Sequence, residues 1–412
     1  MKIRSITCFC DPQFPIEHEV LHQLGNFKTA ARLAFEGVGY EVQTTRLAII
    51  PFPKLVPDSK PELVSQLALD LETAAQIYGF DYVAIGPALL SSPWSYEVIP
   101  QVMSTTQRIF ASGMMTDEAN GISLAAVQAS GRVIYALSRL PGNGFANLRF
   151  GALANVKPGG PFFPGAYHAG GPPVFAIATE AADLAVEAFQ NAHQLEEARR
   201  KLIESVERHT QVLGETARNL AKNYQVIFGG FDFTLAPFPE PSNSFGRAME
   251  LLGAPAVGLH GSLAAAAVLT DTLDQAIYPR AGFNGLMLPV LEDSVLAARA
   301  AEGSLTLKDL LLYASVCGTG LDTLPLPGDT SADQLAAILL DVAALSQRLK
   351  KPLIARLMPI PGKVAGDPVA FDFPYFANSR VLSIQAQPLQ GLLAGDETIF
   401  IKTRDDKADH NQ

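Results

Sequence analysis

The sequence predicts the α/β fold class, and two observations carry that prediction. Short apolar segments alternate with longer segments of helical periodicity along most of the chain, which is typical of strands connected by helices. The chain is also long and apolar, with 412 residues of which 48% are hydrophobic and 17% are charged, against about 25% charged residues in an ordinary soluble protein. Such a chain can bury a large core without disulfides or metals.

The elements follow from this alternation in chain order. Short apolar segments are the strand candidates, and they are Lys2–Phe9, Glu41–Ile49, Tyr82–Ile85, Arg108–Ser112, Arg149–Ala154, Val174–Ala178, Gln225–Phe231, Ala256–Leu259, Gly285–Val290 and Leu353–Met358. Segments with apolar residues every three or four positions are the helix candidates, and they are Glu17–Phe35, Pro61–Tyr78, Ser123–Leu137, Leu195–Ala221, Phe245–Leu252, Ser262–Ala276, Ser294–Ala301, Leu307–Val316 and Ala332–Leu349.

The segment Leu195–Ala221 is rich in Glu, Arg and Lys but keeps one apolar stripe. This pattern predicts an amphipathic helix packed on the outside of the core. A coiled-coil contact that would make the protein a homo-oligomer is the alternative reading of the same stripe.

Composition excludes several classes of protein. The formal net charge of −10 makes a nucleic-acid backbone an unfavourable partner. Two runs without charged residues, 158–179 and 251–270, are broken by Pro and Gly, whereas a membrane span needs about 20 predominantly apolar residues. No secretory signal follows Lys2 and Arg4, and three cysteines indicate a reducing compartment. We therefore expect a soluble cytoplasmic protein that contacts neither membrane nor nucleic acid.

Familiar motifs are missing from the sequence. It has no P-loop and no dinucleotide-binding fingerprint, and Pro161 interrupts the one Gly-Gly turn that resembles the latter. No serine nucleophile elbow and no paired-cysteine zinc spacing occur. Cys8 and Cys10 fall on one face of a predicted strand, which favours two core cysteines.

Four segments combine polar side chains with glycine or proline. His168 lies within Gly165–Gly171, Asp232 ends a predicted strand, His260 lies within Gly258–Ser262, and Cys317 begins a segment that ends at Asp322. Glycine lets backbone approach a ligand closely, and histidine can transfer a proton or ligate a metal at neutral pH. The stretch 157–173, which contains His168, is too apolar for a solvated linker, so we expect it to form a buried loop.

These segments supply the candidate site residues. His168, Asp232, His260 and Cys317 are the candidate catalytic residues, and His168, Asp232 and His260 are also the candidate ligands of a divalent metal. No nucleotide cofactor is expected. The backbone at the start of a helix favours anions, so Gly258, Gly261 and Ser262 are predicted to form an anion cradle. The remaining candidates for ligand binding in these segments are Gly165, Tyr167, Gly170 and Asp322.

At the same places the sequence resembles the DUF711 (UPF0210) family, whose function is obscure. The resemblance lies in a Gly-Ala-Tyr-His segment at 165–168, Leu-Ala-Pro-x-Pro at 235–239, Gly-x-His-Gly at 258–261, Pro-Val-x-Glu-Asp at 289–293, and Cys-x-x-Gly-Leu-Asp at 317–322 that leads to Pro-Gly-Asp-Thr at 327–330. It is strongest between Phe162 and Phe373, and its 289–293 segment implies Glu292 as a further candidate for ligand binding. Ala169 replaces the glycine that follows the histidine in the family.

The resemblance implies a glycyl-radical-enzyme-like fold, a barrel of two five-stranded α/β halves around a central cavity. We accordingly expect one domain over 1–412, with halves 1–180 and 224–400, the long helix 195–221 between them and a disordered tail at 401–412. Radical chemistry is not expected, because the only approach to the radical loop is Arg280-Ala281-Gly282-Phe283, which is one residue short.

Three functions remain open at the level of sequence. The first is a non-radical enzyme that acts on a small polar or anionic metabolite in the cavity, with the four segments converging on one site. The second is a metabolite-binding regulatory protein without catalysis. The third is a structural or assembly protein that uses the stripe on Leu195–Ala221.

Overall fold

A computed structural model describes residues 1–117, 121–316 and 319–403, and it has a mixed α/β fold with a large, mostly parallel sheet surrounded by helices. The strands are β1 (Lys2–Cys10), β2 (Val42–Ile49), β3 (Tyr82–Ala88), β4 (Ile109–Met114), β5 (Thr116–Asp117), β6 (Gly121–Ser123), β7 (Phe150–Ala154), β8 (Val174–Glu180), β9 (Ile227–Ala236), β10 (Gly320–Pro327), β11 (Leu353–Ile360), β12 (Pro368–Val369), β13 (Ser379–Arg380) and β14 (Thr398–Ile399). The α/β prediction is confirmed.

The helices surround the sheet and form its main hydrophobic core with it. They are α1 (His18–Gly37), α2 (Leu63–Tyr78), α3 (Trp94–Glu97), α4 (Ile99–Thr105), α5 (Leu124–Ser138), α6 (Ala182–Gln190), α7 (Leu195–Tyr224), α8 (Phe245–Leu251), α9 (Ser262–Gln275), α10 (Ser294–Glu302), α11 (Leu307–Ala314) and α12 (Ala332–Leu349). In the part of the chain that the structure describes, no helix is long and apolar enough to cross a membrane.

The large sheet contains two groups of parallel strands that run in opposite directions. Its order is β10-β11-β7-β4-β3-β2-β1-β8-β9. Strands β7, β4, β3, β2 and β1 are mutually parallel, whereas β8 runs antiparallel to β1 and parallel to β9, and β11 runs antiparallel to β7 and parallel to β10. The carboxyl ends of the β8–β9 group therefore lie at the edge where the first group has its amino ends.

The segment after α9 lies against both edge strands of this sheet. Isolated parallel bridges join Phe231 of β9 to Arg280, and Pro289 to Asp322 of β10. Gly285–Val290, predicted as a strand, makes only this last bridge, so the prediction holds for an extended segment rather than for a regular strand.

One strand prediction is wrong, and several elements, among them α3, α4, α6 and β10, were not predicted. Ala256–Leu259 is a turn rather than a strand, because Gly258 takes a φ of +103° that an extended strand does not contain. The strand β10 was not predicted, because Pro325 and Pro327 disfavour a strand in the middle of a sheet. It pairs with β11 on one side, and among the described residues its other side carries only the isolated bridge at Asp322.

The loop between β7 and β8 packs against one face of the sheet. Phe163 and Ala166 pack with Phe9, Ala84 and Ala176 in one buried cluster. Residues 161–168 are buried apart from a half-buried Phe162, whereas 169–172 are exposed. The expectation of a buried loop is confirmed for 161–168.

The outer helix and the cysteines behave as predicted. Helix α7 buries one stripe that includes Leu202, Val206 and Leu213, which makes it an amphipathic helix on the core surface. Cys8 and Cys10 are fully buried, and burial raises the pKa of both thiols.

Candidate functional site

A charged cavity of about 220 Å³ lies at the edge of the sheet where β8 and β9 end and β2 and β3 begin. Ala178 and Asp232 reach it from the ends of the first pair, and Thr44 and Tyr82 from the starts of the second pair. The carboxyl ends of parallel strands are the usual ligand-binding edge of α/β proteins, because strands there give way to loops that carry polar groups. This cavity is therefore the candidate site.

Four arginines line the cavity, and two of them are held in one network of ion pairs. Arg4 and Arg356 both bind Glu292, with 2.8 Å between Arg356 Nη2 and Glu292 Oε1. Arg356 also holds Asp322 through Nε and Nη2, at 2.5 and 2.9 Å from the two carboxylate oxygens. Paired planar contacts of this kind are the strongest that arginine makes.

The network favours the charged forms of Arg4, Arg356 and Glu292 although they are buried, whereas burial raises the pKa of Asp322 against the opposite effect of Arg356. Burial alone would raise the pKa of Glu292, but Arg4 and Arg356 outweigh it and lower that pKa below its ordinary value. Burial likewise opposes the charge on Arg356, while Asp322 and Glu292 raise its pKa. Arg4 and Arg356 are thus neutralised within the protein.

The other two arginines are used differently. Arg149 donates to the carbonyl oxygens of Met103 and Thr106, at 2.7 and 2.8 Å, and so ties the end of α4 to β7. Arg46 donates through Nε to Thr44 Oγ1, at 2.9 Å, and among the residues that the structure describes no carboxylate pairs with it. Burial, with help from Arg4, lowers the pKa of Arg46 to about 10.

Asp232 lines the cavity as predicted, but its carboxylate is largely occupied. Oδ1 accepts from the backbone of Thr234 and Asn284 and from the Thr234 hydroxyl, and Oδ2 accepts from the backbone of Phe283 at 3.0 Å. Burial raises its pKa, against the opposite effect of these hydrogen bonds. Asp232 therefore holds the loop at 282–284 against β9.

His168 lies at the opposite edge of the sheet, where β1 and β2 end. Its backbone donates to Ile49 at 3.0 Å, its ring lies 6.4 Å from that of Phe9, and its Nε2 is 3.4 Å from the Gly171 carbonyl. The side chain is buried, and burial lowers its pKa below 6.5. His168 is not among the residues that line the charged cavity.

This histidine should make stability depend on pH. Because its folded pKa lies below the unfolded value near 6.5, the unfolded chain binds the proton first, and stability falls as pH falls through 6.5. We expect His168→Gln to lose less stability than the wild type between pH 7.5 and pH 5.5 in urea unfolding. Identical losses in the two proteins would contradict this role, and His260→Gln, at an exposed position, is the matched control.

The neighbours of His168 are spread over other surfaces. Gly165 lines a separate cavity of about 570 Å³, and Tyr167 a third of about 770 Å³, where its hydroxyl donates to Val156 at 2.8 Å. Gly170 is exposed with a φ of +105°. These three residues do not meet Asp232.

The predicted anion cradle is a surface turn. His260 and Gly261 are exposed, and Ser262 Oγ accepts from Gly258 at 3.2 Å while it donates to Ala256 at 3.3 Å. The serine hydroxyl is thus used within its own turn. The expected convergence of the four segments fails here, because the turn packs on residues 304–305 and not on the cavity.

Two further expectations concern metals and Cys317. Cys317 lies outside the described residues, as do 404–412 of the predicted tail. Within the described ranges, no group of three His, Cys, Asp or Glu side chains is close enough to hold a metal ion. His168, Asp232 and His260 are accordingly not brought together as a metal site.

Of the predicted site residues, Asp232 and Glu292 share the cavity, and Asp322 joins them through Arg356. Sequence reasoning missed Arg4, Arg46 and Arg356. A signal was present, since Arg46 and Arg356 are each the one cation of their strand segment and Arg4 lies in the largely apolar first strand, and a buried charge requires a partner.

Comparisons with known proteins agree on one family. The family model described as "Uncharacterised ACR (DUF711)" matches residues 1–391. A UPF0210 protein of Pyrobaculum aerophilum is 34% identical over 358 residues, which are 82% of this chain and 77% of that protein. UPF0210 proteins of Neisseria meningitidis and Methanococcoides burtonii are 28% and 29% identical, each over 81% of this chain and 77% of their own length.

Proposed function

The chain belongs to the uncharacterised DUF711 (UPF0210) family, and from its charged cavity we propose that it binds a small anionic metabolite there. The observation that carries the proposal is Arg46. Its guanidinium faces the cavity with one hydrogen bond to Thr44 and, among the described residues, without a carboxylate partner. Burying a cation without a counter-ion costs free energy, and a bound anion that pairs with Arg46 would offset that cost.

The other arginines support this assignment because they are already satisfied. Glu292 and Asp322 neutralise Arg4 and Arg356, and backbone carbonyls hold Arg149. The positive charge left for a ligand is therefore that of Arg46. A volume of about 220 Å³ is below the ~300–1,000 Å³ of sites for drug-sized molecules, which favours a small metabolite.

The proposal concerns binding rather than catalysis. Asp232 is the carboxylate that the sequence suggested as a base, but its own chain already supplies four donors to it. Those donors favour a positioning role for Asp232.

We also propose that the sheet closes into a barrel around this cavity. The bridges of Arg280 to β9 and of Pro289 to β10 support closure, since they make the 280–290 segment a fifth member of the group formed by β8, β9, β10 and β11. The parallel strands β1, β2, β3, β4 and β7 would form the other half.

The test of binding is Arg46→Gln. Titration calorimetry with acetate, phenylacetate and inorganic phosphate should show binding to the wild type, and the variant should weaken it about tenfold or more, since a charge-assisted hydrogen bond contributes about 1.5–3 kcal/mol. Arg200→Gln is the matched control, because Arg200 is exposed on α7 and paired only with Glu204 in the described residues. Equal affinities in the wild type and Arg46→Gln, or no binding of any of the three anions, would contradict the proposal.

A further inference from the structure

Three aromatic rings lie beside Arg46 on the cavity wall. The guanidinium is 5.2 Å from the ring of Phe163 and 6.0 Å from that of Tyr82. The Phe110 ring lies 5.3 Å from both of these rings, at 71° to Tyr82 and 62° to Phe163. All four side chains line the charged cavity, so the cation and the rings form one continuous surface, which we call the arginine–aromatic wall.

The fold holds this wall rigidly. Arg46 of β2 and Tyr82 of β3 are partners in the parallel register, and Ala84 of β3 is the partner of Phe110 in β4. Phe163 is carried by the buried loop and packs into the same cluster as Phe110. Because strands and a packed loop position these groups before any ligand arrives, little conformational entropy is lost on binding.

The free part of the guanidinium selects the charged end of the ligand. Thr44 takes Nε, which leaves the two terminal nitrogens as a planar pair of donors. A carboxylate matches such a pair with its two oxygens and brings one negative charge for one unneutralised cation. A phosphate dianion would bring a second charge into an apolar wall, where its loss of hydration is not repaid.

The rings select the rest of the ligand. Phe110 and Phe163 present apolar faces and edges next to the anion position, and Leu148 and Met287 line the cavity as well. A flat hydrocarbon body would cover these surfaces, and aromatic pairs gain about 0.5–1.5 kcal/mol beyond the burial of their area. A ligand as small as acetate would leave the rings uncovered.

From this geometry we infer that the ligand is a small monocarboxylic acid with a flat, apolar body, bound with its carboxylate on Arg46 and its body against Phe110 and Phe163. The inference rests on the proposed function and adds the chemical class of the ligand. It also assigns Phe110 and Phe163 as the residues that determine specificity.

The test compares phenylacetate, acetate and inorganic phosphate by titration calorimetry on the full chain. We expect the wild type to bind phenylacetate at least about tenfold more tightly than acetate, as one buried ring contributes more than about 1.4 kcal/mol, and to bind phosphate no better than acetate. Phe110→Leu, which keeps an apolar side chain in the core, should remove most of this preference while the affinity for acetate stays within twofold. Phe163→Leu is a second variant with the same expectation, and Tyr82→Phe is the control that keeps the ring.

The results of these titrations distinguish a failure of this inference from a failure of the proposed function. If acetate or phosphate binds in an Arg46-dependent way and phenylacetate has no advantage, the inference is overturned and the proposed function stands. A preference for phenylacetate that survives in both leucine variants also overturns the inference. If none of the three anions shows Arg46-dependent binding, both are overturned.

Discussion

Replacement of Arg356 by methionine should lower the free energy of unfolding by about 3–5 kcal/mol, the usual cost of breaking a buried ion pair from one side. Arg356, Glu292 and Asp322 have side chains that are 5%, 4% and 0% exposed. Without the guanidinium, two buried carboxylates lose a shared partner, and Asp322 loses both of its contacts to Arg356. Urea unfolding at pH 7, followed by the fluorescence of the single tryptophan, Trp94, measures the loss.

The pH dependence of this stability loss, and a control substitution at another arginine, test the role of the network more specifically. In Arg356→Met we expect the folded pKa of Glu292 to rise and that of Asp322, which burial already raises, to rise further. Where the folded pKa of a carboxyl group exceeds the unfolded one, stability is retained below the unfolded pKa and is lost as pH rises through the folded one. The deficit against the wild type should therefore be smaller at pH 5 than at pH 7. Arg200→Met is the control, since Arg200 is 69% exposed and its partner Glu204 is 61% exposed. A deficit for Arg356→Met no larger than that of the control would contradict the role of the network.

Replacement of Gly258 by alanine should cost about 2–5 kcal/mol, from about 1–2 for a left-handed residue and about 1–3 for overpacking. Its φ is +103°. A Cβ at this position would overlap the carbonyl oxygen of Ser304 and lie 2.8 Å from the nitrogen of Leu305. Backbone atoms of a neighbouring turn cannot move aside as a side chain can. Urea unfolding again gives the loss.

Gly261→Ala separates the cost of the left-handed backbone from the cost of overpacking. Gly261 has a φ of +102°, but a Cβ there would meet only the Ala254 Cα, at 3.9 Å, so the conformational cost of about 1–2 kcal/mol should stand alone. His260→Ala, at an exposed position, should change stability by no more than about 0.5 kcal/mol. If the two glycine variants lose equal stability, the close approach to Ser304 is not what requires glycine at 258.

The regular elements were predictable because their cause is local. Periodic burial predicted helices such as α2 and α12, and continuous apolar runs predicted β1 and β11. Ala256–Leu259 shows where this reasoning stops, since a short apolar run bounded by glycine and proline has the same pattern in a buried strand and in a packed turn. In β10 the error is the reverse, because Pro325 and Pro327 argue against a strand where the structure has one.

The candidate site was only partly predictable, since it depends on which strands become neighbours. Sequence reasoning identified Asp232 from its apolar surroundings and Glu292 from the family resemblance. It identified Asp322, His168 and His260 from the glycine-containing segments in which they lie. Only the strand order places Glu292 and Asp322 on Arg356 with Asp232 in the same cavity, and leaves His168 at the opposite edge of the sheet. His260 lies outside the core altogether.

The sequence by itself determined the fold class and the places where polar groups enter an apolar chain, because composition and periodicity are properties of nearby residues. Its short motifs also indicated the family, by resemblance. The tertiary structure alone decided which of those groups share a cavity and which arginine is left without a carboxylate among the described residues. The physical reason is that charge pairing across a sheet joins residues far apart in the chain, as Arg356 joins Glu292 and Asp322. No pattern of neighbouring residues in the sequence indicates which of these distant residues will be close in space.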